Sequence, residues 1–285
     1  MSTWHLLGLG SLGTLTAARL LAAGENVRVL PRTPCKLVSR TLVRPNQAPL
    51  TLSLPCAADE PIERLVVTVK GPDTRSALAP WIARLADNAV MVCLQNGIGA
   101  IEQVALPDTT RVIHAVSTDG AWRDADQIFV VAENDTRMGD GSPEMPPWFA
   151  TLQRFWSGLI WSEDIQWDRW RKLAVNAVIN PLTALYQCRN GELLDGGEHQ
   201  QALQRLAEEV DLVAAARLPD WPNDTPSRAA EIALATAENT SSMLADVQAG
   251  RVTEIDYING FLLHQALQLG LHLPAHQRLY TALTD

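Results

Sequence analysis

The sequence predicts an α/β protein: a sheet of parallel strands in the first half, then an all-α second half. Up to about residue 100, short apolar runs alternate with longer amphipathic stretches, the pattern of βαβ units. From about residue 165 onward, apolar positions recur at helical spacing with little interruption. With 285 residues, of which 47% are hydrophobic and 19% charged, the chain can bury the core of one large domain or of two ordinary ones.

In chain order, "WHLLGLG" reads as a buried strand and "SLGTLTAARLLAAG" as a helix closed by Gly24. "NVRVL", "RLVVTVK" and "AVMVCLQ" are further strands, with a helical segment beginning near "PDTRSALAPWIARL" between the last two. "TRVIHAVSTDGAW", "DQIFVVAE" and "DTRMGDG" are shorter strands expected to finish the same sheet less regularly. After "PEMPPW" the pattern changes. Helices are expected over "DRWRKLAVNAVINPLTALYQCRNGEL", "HQQALQRLAEEVDLVAAARL", "TPSRAAEIALATAENTSSMLADVQAG" and "TEIDYINGFLLHQALQLG", with a last short one at "AHQRLYTAL". The domain boundary is placed near 162–168, giving an α/β domain over 1–165 and a helical one over 166–285.

Several functions are disfavoured. A net charge of −9 offers no basic field to gather nucleic acid or anionic lipid. Cys35, Cys56, Cys93 and Cys188 form no CxxC pair, so neither a disulfide framework nor a zinc knuckle is expected. Reduced thiols in a cytoplasmic protein are the plain expectation. No apolar run is long enough to span a bilayer, and the N-terminus lacks the pattern of a secretory signal. His272 and His276 are four apart, but Pro274 lies between them, so no metal site is expected.

Gly8, Gly10 and Gly13 form G-x-G-x-x-G between the first strand and its helix. There the spacing is a dinucleotide fingerprint: Gly8 allows the tight turn, Gly10 lets backbone approach a pyrophosphate, and Gly13 lets helix and strand pack closely. Ser11 and Leu12 complete the turn, where the helix N-terminus offers N–H groups to an anion. The fold class is therefore a Rossmann-type doubly wound parallel sheet followed by an all-α C-terminal domain. The second strand runs into "VRVLPRTPCK", which has Arg32 and no carboxylate. An arginine suits the 2′-phosphate of NADP, although a solvated surface arginine is the plain alternative. Lys70 and Asn96 follow two further strands, where ligands of open α/β sheets bind. A solvated strand end and an ordinary Asn-Gly turn explain them equally well.

In "RKLAVNAVINPLTALY", Lys172, Asn176 and Asn180 stand at i, i+4 and i+8, so one helix face carries a cation and two amides. Pro181 follows directly. Either these side chains line a cleft, or Lys172 reaches solvent and the amides bond backbone released by Pro181.

"WRKLAVNAVINPLTALYQCRNGEL", "TAENTSSMLADVQAG" and "TEIDYINGFLL", with "GLGSLG" and "QNGIG", closely resemble the ketopantoate reductase family over nearly the whole chain, in order. The resemblance implies NADPH-dependent reduction of 2-dehydropantoate to (R)-pantoate, on the route to pantothenate and coenzyme A. It implies Lys172 as general acid, Asn176 and Asn180 orienting substrate, and Glu254 bonding the substrate hydroxyl. Asn239 and Ser242 then contact substrate, Asn96 lies near nicotinamide and substrate, Lys70 lies on the cofactor side, and Arg32 meets the NADP phosphate. The family pattern continues with a polar tail past "RLYTALTD", and "AVSTDGAWRDADQ" is less family-like, leaving Asp119 without a role.

The chemistry agrees independently. Hydride addition to a ketone builds an alkoxide that needs a proton donor already in place. A lysine among apolar residues is a better acid, because desolvation disfavours its ammonium. Glu254 is expected in the first turn of a helix, with Thr253 as a cap; Asp256 points to another side. The other readings are a 2-hydroxyacid dehydrogenase of the 6-phosphogluconate-dehydrogenase-like group, or a non-catalytic NADP-binding sensor. The expected partner is a small 2-oxo acid, with the protein a monomer or homodimer.

Overall fold

A computed structural model describes residues 3–285. It divides into two compact units, one formed by residues 3–95 and 101–168, the other by 96–100 and 169–285.

In the first unit, β1 (Thr3–Leu7) leads into helix α1 (Ser11–Ala22) and β2 (Asn26–Leu30). A hairpin of β3 (Leu37–Val43) and β4 (Leu50–Pro55) follows, then β5 (Ile62–Val67), the short α2 (Thr74–Leu78) and β6 (Leu85–Cys93). Then come β7 (Arg111–Ser117), β8 (Gly120–Asp124), β9 (Gln127–Ala132), β10 (Thr136–Gly139), α3 (Phe149–Gln153) and β11 (Leu159–Trp161). The main sheet has seven strands in the order β11-β10-β7-β6-β5-β1-β2. β1 pairs in parallel with β2 on one side and with β5 on the other. The strand order thus reverses at β1, and an open α/β sheet binds ligands beyond the carboxyl ends at such a switch point. Alternation sorts the core. Trp4, Leu6, Val27, Val29 and Val66 pack to one side with Leu15, Leu20 and Phe149. Leu7, Leu30, Leu65 and Val67 pack to the other with Leu78 and Met91.

Three expectations change here. The segment at "PDTRSALAPWIARL" holds only the five residues of α2, flanked by single 3-10 turns, because Pro80 has no N–H to extend the ladder. The β3–β4 hairpin was not expected, although Leu52 and Leu54 point inward between exposed Thr51 and Ser53. β8 and β9 do not finish the main sheet; they join that hairpin in a second sheet of order β4-β3-β9-β8.

The boundary falls inside α4 (Ile165–Tyr186), which carries Pro181 in its interior. The second unit continues with α5 (Gly197–Arg217), α6 (Thr225–Ala235), α7 (Ser242–Gln248), α8 (Phe261–Gln268) and α9 (Pro274–Thr284). Two long segments are broken. The 225–250 stretch is two helices, with Ser241 capping the second through its Oγ, which accepts from Leu244 N at 3.1 Å. The 253–270 stretch opens with a π-helical turn, Asp256–Gly260, before α8. Glu254 therefore precedes the first turn instead of lying in it, and its carbonyl accepts from Tyr257 N at 3.1 Å. Among the described residues, no helix is long and apolar enough to cross a membrane, and no group of three or more His, Cys, Asp or Glu could hold a metal.

Candidate active site

At the carboxyl end of β1, Gly8 lies at φ +99°, a conformation that side chains rarely adopt. A Cβ there would stand 2.7 Å from Val69 N, and one at Gly13 would run into the Gly8 carbonyl. Thr68 Oγ1 locks this turn, donating to Gly8 O at 2.6 Å. Gly10 differs: a Cβ there would meet nothing within 4 Å. The protein's own packing does not require that glycine, and the open space lies where α1 begins. No side chain caps α1 at Gly10, and its first turn holds no carboxylate. Ser11 and Leu12 are half-buried in that turn. This arrangement suits an anion against backbone N–H groups. Arg32 is exposed, two residues past β2. Lys70 is half-buried beyond β5, its carbonyl accepting from Thr74 Oγ1 at 3.1 Å. Gln95, which sequence reasoning missed, donates to Val69 O and Thr74 Oγ1, both at 2.6 Å, joining the loops that follow β5 and β6.

The turn after β6 belongs to the second unit. Ile98 N donates to Tyr257 O at 2.8 Å, and a Cβ at Gly97 would collide with that same carbonyl. Docked in this way, Asn96 Nδ2 donates to Glu254 Oε2 at 3.2 Å. Two candidate residues 158 positions apart thus form one pair, with the carboxylate buried.

On α4, Lys172 and Asn176 are half-buried and Asn180 is buried. Pro181 leaves the Ala177 carbonyl without its helical donor. That carbonyl is served by Asn259 Nδ2 at 2.9 Å, so neither amide of the stripe is needed for it. Thr183 Oγ1 donates to Ser241 Oγ at 2.7 Å, tying the start of α7 to α4. Asn239 and Ser242 flank Ser241 and are exposed. The Asn239 carbonyl accepts from Asn190 N at 3.1 Å. Asp119 has a structural role. Arg19 of α1 grips it with two bonds of 2.6 and 3.0 Å, Ser117 Oγ and Asn134 N add two more, and both charged side chains are buried. Burial would raise the Asp119 carboxyl, but the Arg19 guanidinium overrides it and holds the group below its ordinary value.

Residues 4–143 match the family described as ketopantoate reductase PanE/ApbA, and residues 164–285 match its C-terminal counterpart. The chain belongs to the ketopantoate reductase family. The 2-dehydropantoate 2-reductase of Shigella flexneri is 34% identical, over 96% of this chain and 92% of that one. A dimeric ketopantoate reductase from Staphylococcus aureus shares the fold, with a TM-score of 0.88 at 20% identity, covering 99% of this chain and 97% of its own. A D-mandelate dehydrogenase solved with NADH and anilino(oxo)acetate superposes with a TM-score of 0.86 at 17% identity, covering 99% and 97%. The fold alone therefore does not choose between the two nicotinamide nucleotides.

Proposed function

We propose that this protein reduces 2-dehydropantoate to (R)-pantoate with NADPH, a step toward pantothenate and coenzyme A. One observation carries the reading: a chain matching the ketopantoate reductase family at both ends holds Lys172 on its α4 stripe and a buried Glu254 fixed by Asn96. The first unit is assigned the nucleotide. Gly8, Gly10, Ser11, Leu12 and Gly13 fit its pyrophosphate, Arg32 its 2′-phosphate, and Lys70 its nicotinamide side. The second unit, with Asn96, is assigned the substrate.

When bound, the reduced nicotinamide supplies the hydride to the ketone carbon. Lys172 gives its proton to the ketone oxygen as negative charge develops there, and it is reprotonated from water. Asn176, Asn180, Asn239 and Ser242 hold the carboxylate and hydroxyl of the substrate without adding charge. Glu254 accepts the substrate hydroxyl, and its orientation is set by the Asn96 amide. The protein is assigned to the cytoplasm and, by likeness to the dimeric Staphylococcus protein, to a homodimer.

Purified protein mixed with NADPH and ketopantoate should lose absorbance at the reduced-nicotinamide band. A panel of other 2-oxo acids should be reduced more slowly. No oxidation above the blank would remove the reading, and a faster alternative substrate would replace ketopantoate.

A further inference from the structure

Pro181 is an expensive residue for the interior of a 22-residue helix, because it breaks a ladder bond and crowds the preceding turn. What it releases is the Ala177 carbonyl, which lies between Asn176 and Asn180 in sequence. Asn259 takes that carbonyl at 2.9 Å. Its amide nitrogen also lies 3.0 Å from His276 Nδ1, and His276 Nε2 lies 3.1 Å from Leu206 O. Because Leu206 O can only accept, Nε2 carries the ring proton, Nδ1 accepts, and the Asn259 amide uses both of its hydrogens as donors. Turning that amide over would set its oxygen against the Ala177 carbonyl, acceptor against acceptor. Asn259 and His276 are fully buried, so the chain α4–Asn259–His276–α5 has one arrangement in which its donors are satisfied.

Asn259 sits five residues after Glu254, at the end of the π-helical turn that begins at Asp256. The same turn presents the Tyr257 carbonyl that docks the Asn96 loop. The geometry points to a latch in which Pro181 exposes a carbonyl of α4 and Asn259, braced by His276, docks on it the turn that follows Glu254. Pro181 and Asn259 are positioning residues. They set where Glu254 and Asn96 stand relative to the Lys172–Asn176–Asn180 stripe. This assignment rests on the functional reading above.

The test compares steady-state ketopantoate reduction and melting temperature in the wild type, Pro181→Ala and Asn259→Ala. Pro181→Ala returns an N–H that competes for the Ala177 carbonyl, so it loosens the latch while repairing the helix. Its melting temperature should hold or rise while KM for the 2-oxo acid rises about tenfold and KM for NADPH stays unchanged. Asn259→Ala should move KM in the same direction with a lower melting temperature. If that variant does not fold, Pro181→Ala decides alone. A folded Pro181→Ala with wild-type constants overturns the latch, as does an equal rise in both KM values. An inactive wild type removes the functional reading and the latch with it, whereas an active wild type with unaffected variants removes the latch alone.

Discussion

Replacing Lys172 with alanine takes away the only cation on the Lys172–Asn176–Asn180 stripe, and with it the proton donor assigned to the developing alkoxide. The expected loss is about two to four decades in kcat, the scale of a missing general acid, and a variant with full kcat would exclude Lys172 from the chemistry. Asp119 is a different kind of residue. Its four bonds and its burial against Arg19 mean that Asp119→Ala leaves a buried guanidinium, which lies over the Trp156 ring at 4.7 Å, with the longer 3.3 Å bond to Glu133 in place of its close pair. Denaturant melts should show a loss of about 3–5 kcal/mol, and a loss below 1 would mean that the pair is not the anchor described. Residue type alone revealed the stripe, since a cation and two amides on a burial-type helix face are anomalous. It could not reveal Asp119's partner, which lies 100 positions away. Nor could spacing foresee that Asn96 would meet Glu254, or that Asn259 would relieve the stripe's amides of the Ala177 carbonyl that Pro181 leaves open.

Among the elements, those with strong local periodicity were legible: β1, α1, β2, β5, β6, α4, α5 and α9 each show their apolar pattern within their own length. The failures fall where a local pattern is overruled by capping or pairing elsewhere. The α6–α7 break depends on Ser241 meeting both Leu244 N and Thr183. The second sheet depends on β3 pairing in parallel with β9, more than 80 residues away (Thr41 with Gln127). α9, although legible, also takes a cap from another element, and it carries a pH signature. Its first N–H groups, at Ala275 and His276, are capped by the Glu209 carboxylate of α5 at 2.8 and 2.9 Å. Burial depresses His276 from 6.5 to about 4, against the small opposing effect of its bond to Leu206 O. A depressed folded-state value means that the neutral ring stabilises fully above pH 6.5, and that this contribution drains away as pH falls toward 4. The loss is on the order of 3 kcal/mol over that window. Wild-type urea midpoints should therefore fall more steeply from pH 6.5 to 4 than those of His276→Leu, and parallel curves would show that His276 does not titrate on unfolding.

For the molecule as a whole, the remaining choice is between nucleotides, and it turns on charge rather than fold. The strand reversal at β1, the uncapped start of α1 and the open space at Gly10 suit the pyrophosphate common to both. The two differ where the 2′-phosphate adds charge in place of NADH's hydroxyl, and the proposal gives that charge to Arg32 in the loop after β2. Arg32 is exposed, and the attraction of an exposed cation for a phosphate is screened by salt. A ligand that binds only the folded chain stabilises it by RT ln(1 + [L]/Kd), about 2.7 kcal/mol at a hundredfold excess over Kd. NADPH should accordingly raise the melting temperature more than NADH at equal concentration, and the gap should narrow as salt is added. Arg32→Ala should close most of the gap by weakening NADPH while leaving NADH nearly untouched. Equal shifts from the two nucleotides in the wild type would detach Arg32 from the phosphate and leave the protein's nucleotide preference to be found in other residues of the first unit.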